Sequence, residues 1–128
     1  MNHETAPLVF ITGASSGIGQ ALARRFAAAG YRLALVARRT QETQAWADAQ
    51  GLGPTACRVY GADVADTASI VAAGTACIAA QGLPDVVVAN AGISVGMDTA
   101  QLGDIEVMAR TFATNNTGMA ATFHPFVA

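Results

Sequence analysis

Residues Val9 to Gly19 read Val-Phe-Ile-Thr-Gly-Ala-Ser-Ser-Gly-Ile-Gly, and this run narrows the folds open to the chain more than any other. An apolar, β-branched stretch stops at Gly13. Glycine recurs at Gly17 and Gly19, and an alanine-rich segment with Arg24 and Arg25 continues to Ala29. The order is strand, glycine turn, helix. Such a turn brings bare backbone N–H groups to an anion at a helix N-terminus, which makes a nucleotide the leading ligand candidate.

The same alternation runs through the chain. Strands are expected at Leu8–Thr12, Arg32–Ala37, Ala56–Gly61 and Pro84–Ala89, with helices over Gly17–Ala29, Thr40–Gln50, Asp66–Gln81 and Asp104 to about Phe123. Leu33, Leu35 and Val36, like Val86, Val87 and Val88, form continuous apolar runs, the pattern of strands covered on both faces. Asp66 stands where a carboxylate can cap its helix. Repeated βα units imply a parallel sheet with right-handed crossovers, and 128 residues suffice for one domain. In the last helix Ile105, Met108, Phe112, Met119 and Phe123 form one apolar stripe, read as core or subunit interface.

Composition removes several function classes. Hydrophobic residues at 52% with 12% charged describe a buried core rather than a disordered chain. Net charge is −2 with scattered arginines, which offers no nucleic-acid surface. Cys57 and Cys77 lack a partner motif and read as buried, reduced thiols rather than a metal pair. The N-terminus carries no basic, apolar leader, and the uncharged stretch Ile70–Pro84 falls short of the roughly 20 apolar residues a span needs. A cytoplasmic location and no membrane partner are expected.

Gly13-Ala14-Ser15-Ser16-Gly17 also fits G-x-S-x-G, the nucleophile elbow of α/β-hydrolases. That chemistry needs a histidine base late in the chain after an acid, whereas only His3 and His124 occur, and few strands precede the turn. The second strand ends Leu35-Val36-Ala37-Arg38-Arg39. A site for an unphosphorylated ribose places a carboxylate there, but here a neutral alanine is followed by guanidinium groups suited to a 2′-phosphate. NADP is therefore expected before NAD.

Thr12-Gly13-Ala14-Ser15-Ser16-Gly17-Ile18-Gly19 resembles the T-G-x-x-x-G-x-G signature of the short-chain dehydrogenase/reductase family. Asp63-Val64 resembles that family's adenine-reading pair, and Asn90-Ala91-Gly92 resembles its N-A-G segment beside the adenosine. Asn115, three residues before Gly118, matches the helix asparagine of its catalytic tetrad. The resemblance implies a Rossmann-type doubly wound parallel sheet in strand order 3-2-1-4. It also implies a cofactor site of Gly13, Ser15, Ser16, Gly17, Ile18, Gly19, Arg38, Arg39, Asp63, Val64, Asn90, Ala91 and Gly92, and it gives Asn115 the one catalytic role.

The family's proton-transfer tyrosine, the lysine four residues beyond it and the catalytic serine lie after a fifth strand. This sequence contains no lysine, and its only tyrosines are Tyr31 and Tyr60. Residues 1–128 are thus expected to be a partial NAD(P)-binding domain that ends before that strand. The implied whole is an NADP-dependent oxidoreductase acting on a hydroxyl or carbonyl substrate, catalytically incomplete in this form. The alternative is a non-catalytic nucleotide-binding or dimerisation module, with the residue 105–123 helix as a homo-oligomer contact.

Overall fold

A computed structural model describes residues 6–91 and 100–127. Four strands, β1 (Leu8–Thr12), β2 (Arg32–Ala37), β3 (Cys57–Gly61) and β4 (Val86–Val88), form one parallel sheet in the order β3-β2-β1-β4. In register, Val9 lies between Leu33 and Val86, and Ile11 between Leu35 and Val88. β1 is buried along its whole length because helices cover both faces of the sheet.

Helices α1 (Gly17–Ala28) and α2 (Thr40–Ala49) cover one face, packing Ala23 and Ala47 against Val9, Ile11, Leu33, Leu35 and Cys57. Helix α3 (Thr67–Gln81) and the short α5 (Gly118–Phe123) cover the other, with Ile70, Ala73, Cys77 and Ala121 against Leu8, Phe10, Ala34 and Val36. Asp66 caps α3, its carboxylate accepting from Ser69 N at 3.3 Å. A 3-10 turn at His124–Phe126 closes this face, with the Phe126 ring edge-on to Phe10 at 4.8 Å between centroids.

The boundaries moved where a local group outcompetes the ladder. β4 starts at Val86 rather than Pro84, because proline has no N–H to give and the Asp85 carboxylate accepts from Leu8 N at 2.8 Å. Ala56 belongs to the preceding turn, its N–H donating to Gly53 O at 3.0 Å. Among the described residues no strand pairs with the far edge of β4, and its three valines are only half-buried.

The last helix departs most from expectation. It runs as α4 (Leu102–Phe112), a π-helical turn (Ala113–Thr117) and α5, where the run Asn115-Asn116-Thr117 is of residue types with low helix propensity. The extra residue of a π turn shifts the helical phase. As a result Gly118, Ala121 and Thr122 face the sheet, while Ile105, Phe112, Met119 and Phe123 are exposed and Met108 is half-buried. The apolar stripe therefore does not supply the core.

The two thiols lie on opposite faces of the sheet, and burial pushes both up to about 11. The expectation of buried, unpaired cysteines holds. A folded-state value above the unfolded one gives stability that is complete below pH 9 and lost as the pH rises toward 11. In denaturation curves against pH, unfolding should grow easier across that window. At pH 8 a thiol reagent should label neither cysteine until denaturant is added; rapid native labelling would contradict the burial.

Candidate functional site

At the C-terminal ends of the strands the chain opens a cleft of about 240 Å³. It sits where the strand order reverses between β1 and β4, the usual ligand position in an open parallel sheet. Its floor is the glycine turn. Gly13 holds φ +65°, and a Cβ there would lie 2.9 Å from Ala91 Cα. A Cβ on Gly19 would collide with Gly13 O. Both glycines are thus required by the protein's own packing. At Gly17 a Cβ would meet nothing within 4 Å, so its absence leaves open room beside the turn.

The two serines divide in the same way. Ser16 caps α1: its hydroxyl donates to Gly13 O at 2.8 Å and accepts from Gly19 N at 2.9 Å and from Asn90 Nδ2 at 3.2 Å. It lines the cleft but is committed to holding the turn. Ser15 is exposed on the cleft wall, and its side chain has no protein partner among the described residues. Ala14 N is bonded to Val36 O at 3.1 Å and Ser16 N to Gly13 O at 3.1 Å. The N–H groups of Ser15, Gly17 and Ile18 have no acceptor among the described residues and remain for an anion.

Asn90 binds the turn across the strands, donating from Nδ2 to Gly13 O at 3.3 Å and from its backbone N to Thr12 Oγ1 at 3.1 Å. Thr12 Oγ1 also accepts from Ala91 N at 3.2 Å. Thr12 is a site-holding residue absent from the expected set; its place at the strand end, just before the first glycine, was the available signal. Arg38 and Asp63 stand on the far walls. Arg38 is exposed and makes no ion pair among the described residues, whereas Arg39 lies off the cleft and pairs with Glu42 at 3.6 Å. Asp63 Oδ1 accepts from Ala65 N at 2.9 Å, leaving Oδ2 to accept from a ligand. Val64 completes that wall.

Asn115 lies in the π turn, half-buried while Asn116 is exposed, and it does not line the cleft. Gly92 lies outside the described residues. His124 is exposed and off the cleft. Tyr60 donates to Gln81 Oε1 at 2.8 Å, and burial pushes its phenol up to about 12. Tyr31 stacks edge-on against Phe26. Neither tyrosine lines the cleft.

An open parallel sheet in order 3-2-1-4, with a glycine turn below a crevice at the point of reversal, is a Rossmann-type fold. A family model for short chain dehydrogenases matches residues 7–127. The chain belongs to the short-chain dehydrogenase/reductase family of oxidoreductases. It is 40% identical over 118 residues, 88% of this chain and 41% of the relative, to a Streptomyces violaceoruber protein assigned as granaticin polyketide synthase ketoacyl reductase 1. It is 31% identical to an NADP-dependent 3-hydroxy acid dehydrogenase of Salmonella typhi, over 88% of this chain and 44% of that one. A crystal structure of an actinorhodin polyketide ketoreductase variant with NADPH superposes with a TM-score of 0.87 at 29% identity, covering 98% of this chain and 48% of the other. The chain spans less than half the length of these relatives. No helix among the described residues is long and apolar enough to cross a membrane.

Proposed function

We propose that this chain is the adenosine- and diphosphate-binding portion of a cytoplasmic, NADP-dependent short-chain oxidoreductase acting on a hydroxyl or carbonyl substrate. The observation that carries the reading is Arg38, without an ion pair among the described residues, on the cleft wall directly after neutral Ala37. A carboxylate at the strand end would repel a 2′-phosphate; a free guanidinium attracts one. The NADP-dependent relative and the NADPH-bound neighbour support the same choice. The cleft of about 240 Å³ is below the ~300–1,000 Å³ of a full ligand pocket, which suits one end of a dinucleotide.

The diphosphate takes the N–H groups of Ser15, Gly17 and Ile18 and the Ser15 hydroxyl, on a turn that Ser16 and Gly19 keep rigid. Arg38 holds the 2′-phosphate, with Arg39 adding longer-range charge. Asp63 Oδ2 accepts from the adenine amino group beside Val64, and Asn90, Ala91 and Gly92 border the adenosine ribose. Asn115 takes the place of the tetrad asparagine. Bound nicotinamide dinucleotide supplies hydride transfer to or from a carbonyl or alcohol carbon.

A second reading is a non-catalytic nucleotide-binding or dimerisation module. It is favoured by the exposed Ile105, Phe112, Met119 and Phe123. Under either reading the 128-residue chain binds nucleotide without turnover. Titration with NADPH, NADH and 2′-phospho-AMP should show NADPH and 2′-phospho-AMP binding at least about tenfold tighter than NADH. Equal NADPH and NADH affinities would remove the assignment of Arg38, and no binding at all would remove the cofactor.

A further inference from the structure

The wall of the cleft formed by residues 62–64 is braced from behind by α5, at a glycine. Gly118 is buried, and a Cβ built on it would fall within the contact shell of Val64 O, 3.0 Å from Val64 C and 3.1 Å from Val64 Cβ. Its φ is not positive, so the glycine serves closeness rather than an unusual backbone. Two further contacts fix the arrangement. The buried Thr122 hydroxyl donates to Gly118 O at 2.7 Å, and Ala121 packs in the same core cluster as Val64. Val64 therefore has the cleft on one side and α5 on the other.

We propose that Gly118 is a positioning residue for the adenosine end of the cleft. It lets α5 seat directly on the Val64 carbonyl and so sets the position of Asp63 and Val64, coupling the π turn and α5 to nucleotide affinity. The proposal rests on the reading of the cleft as a nucleotide site, and it separates this helix from a merely structural lid. A side chain at residue 118 would press first on backbone, which cannot rotate away, and the 62–64 wall would shift toward the ligand. Interior packing passes on such displacements because it is dense.

The test compares Gly118→Ala with Gly74→Ala. At Gly74 a Cβ would also intrude, 2.6 Å from Pro125 Cγ, but its nearest atoms belong to Pro125 and Phe126 rather than to Val64. AMP and 2′-phospho-AMP are titrated into each 128-residue variant, and amide exchange is followed at Asp63 N, bonded to Ser69 Oγ at 3.1 Å, and at Ala65 N. Gly118→Ala should weaken both nucleotides about tenfold, leave their affinity ratio unchanged because Arg38 is untouched, and speed exchange at both amides. Gly74→Ala should lower the thermal midpoint with affinities and loop exchange as in the wild type. Thr122→Val removes only one hydroxyl bond and should give a smaller change in the same direction, which keeps the test informative if Gly118→Ala folds poorly. Equal effects from the Gly74 and Gly118 variants, or unchanged loop exchange in Gly118→Ala, would overturn the proposal. A wild-type chain that binds neither nucleotide overturns the cofactor reading, and amide exchange alone then decides whether Gly118 sets the wall.

Discussion

Arg38→Ala is expected to weaken NADPH by about ten- to a hundredfold while leaving NADH nearly unchanged. A charged hydrogen-bonding contact is worth ~1.5–3 kcal/mol, and ~1.4 kcal/mol is a factor of ten. The exposure of Arg38 and screening by salt place the effect toward the lower end, so the loss should shrink as ionic strength rises. Because Arg38 has no protein partner among the described residues, its removal should not disturb the thermal midpoint. Arg38→Lys should recover only part of the affinity, since an ammonium cannot pair two phosphate oxygens through a planar fork. Arg39→Ala is the internal control. Its pairing with Glu42 at 3.6 Å is a surface contact of small worth, and the change should be about twofold or less. Isothermal titration of the three variants checks the set. A loss of NADH equal to that of NADPH in Arg38→Ala would show that the guanidinium does not meet the extra phosphate.

Gly13→Val should abolish binding of both dinucleotides, and it should do so by disturbing the fold. A branched side chain at φ +65° is strained, and its Cβ would stand 2.9 Å from Ala91 Cα and 3.1 Å from Asn90 Nδ2. The residue also carries the carbonyl that accepts from Ser16 N, Ser16 Oγ and Asn90 Nδ2. Displacing it would release the clamp between β1, α1 and the segment after β4. Against a total stability of about 5–15 kcal/mol, strain plus three lost bonds should lower the thermal midpoint by roughly 10 °C or more. Gly17→Ala should behave in the opposite way. Its Cβ meets no protein atom, and alanine favours the helix, so the midpoint should hold or rise while affinity falls. Thermal melts and titrations on the two variants separate a glycine kept for packing from one kept for the ligand. A Gly13→Val chain that melts like the wild type would refute this division.

What could be read from the sequence follows from how local each determinant is. β1 and β2 fell where expected because their apolar runs are buried on both faces, so no side-chain alternation blurs their ends. The glycine turn was legible for a similar reason: all of its parts lie within one short segment. The π turn was not, since a helix-length apolar stripe gives no sign of an inserted residue, and only packing against the sheet makes Gly118 and Ala121 the inward positions. Arg38 and Arg39 look alike in sequence; the end of β2 at Ala37 places one on the cleft and the other beside Glu42. The contact between Gly118 and Val64 joins residues 54 positions apart in the chain, and no local pattern announces it.

The sheet is a single backbone layer with Cys57 beneath one surface and Cys77 beneath the other. Nature has thereby installed two reporters, one in each compartment, with no engineering required. Pulse alkylation during unfolding, followed by peptide mass analysis, would reveal whether the half under α1 and α2 loosens before the half under α3 and α5.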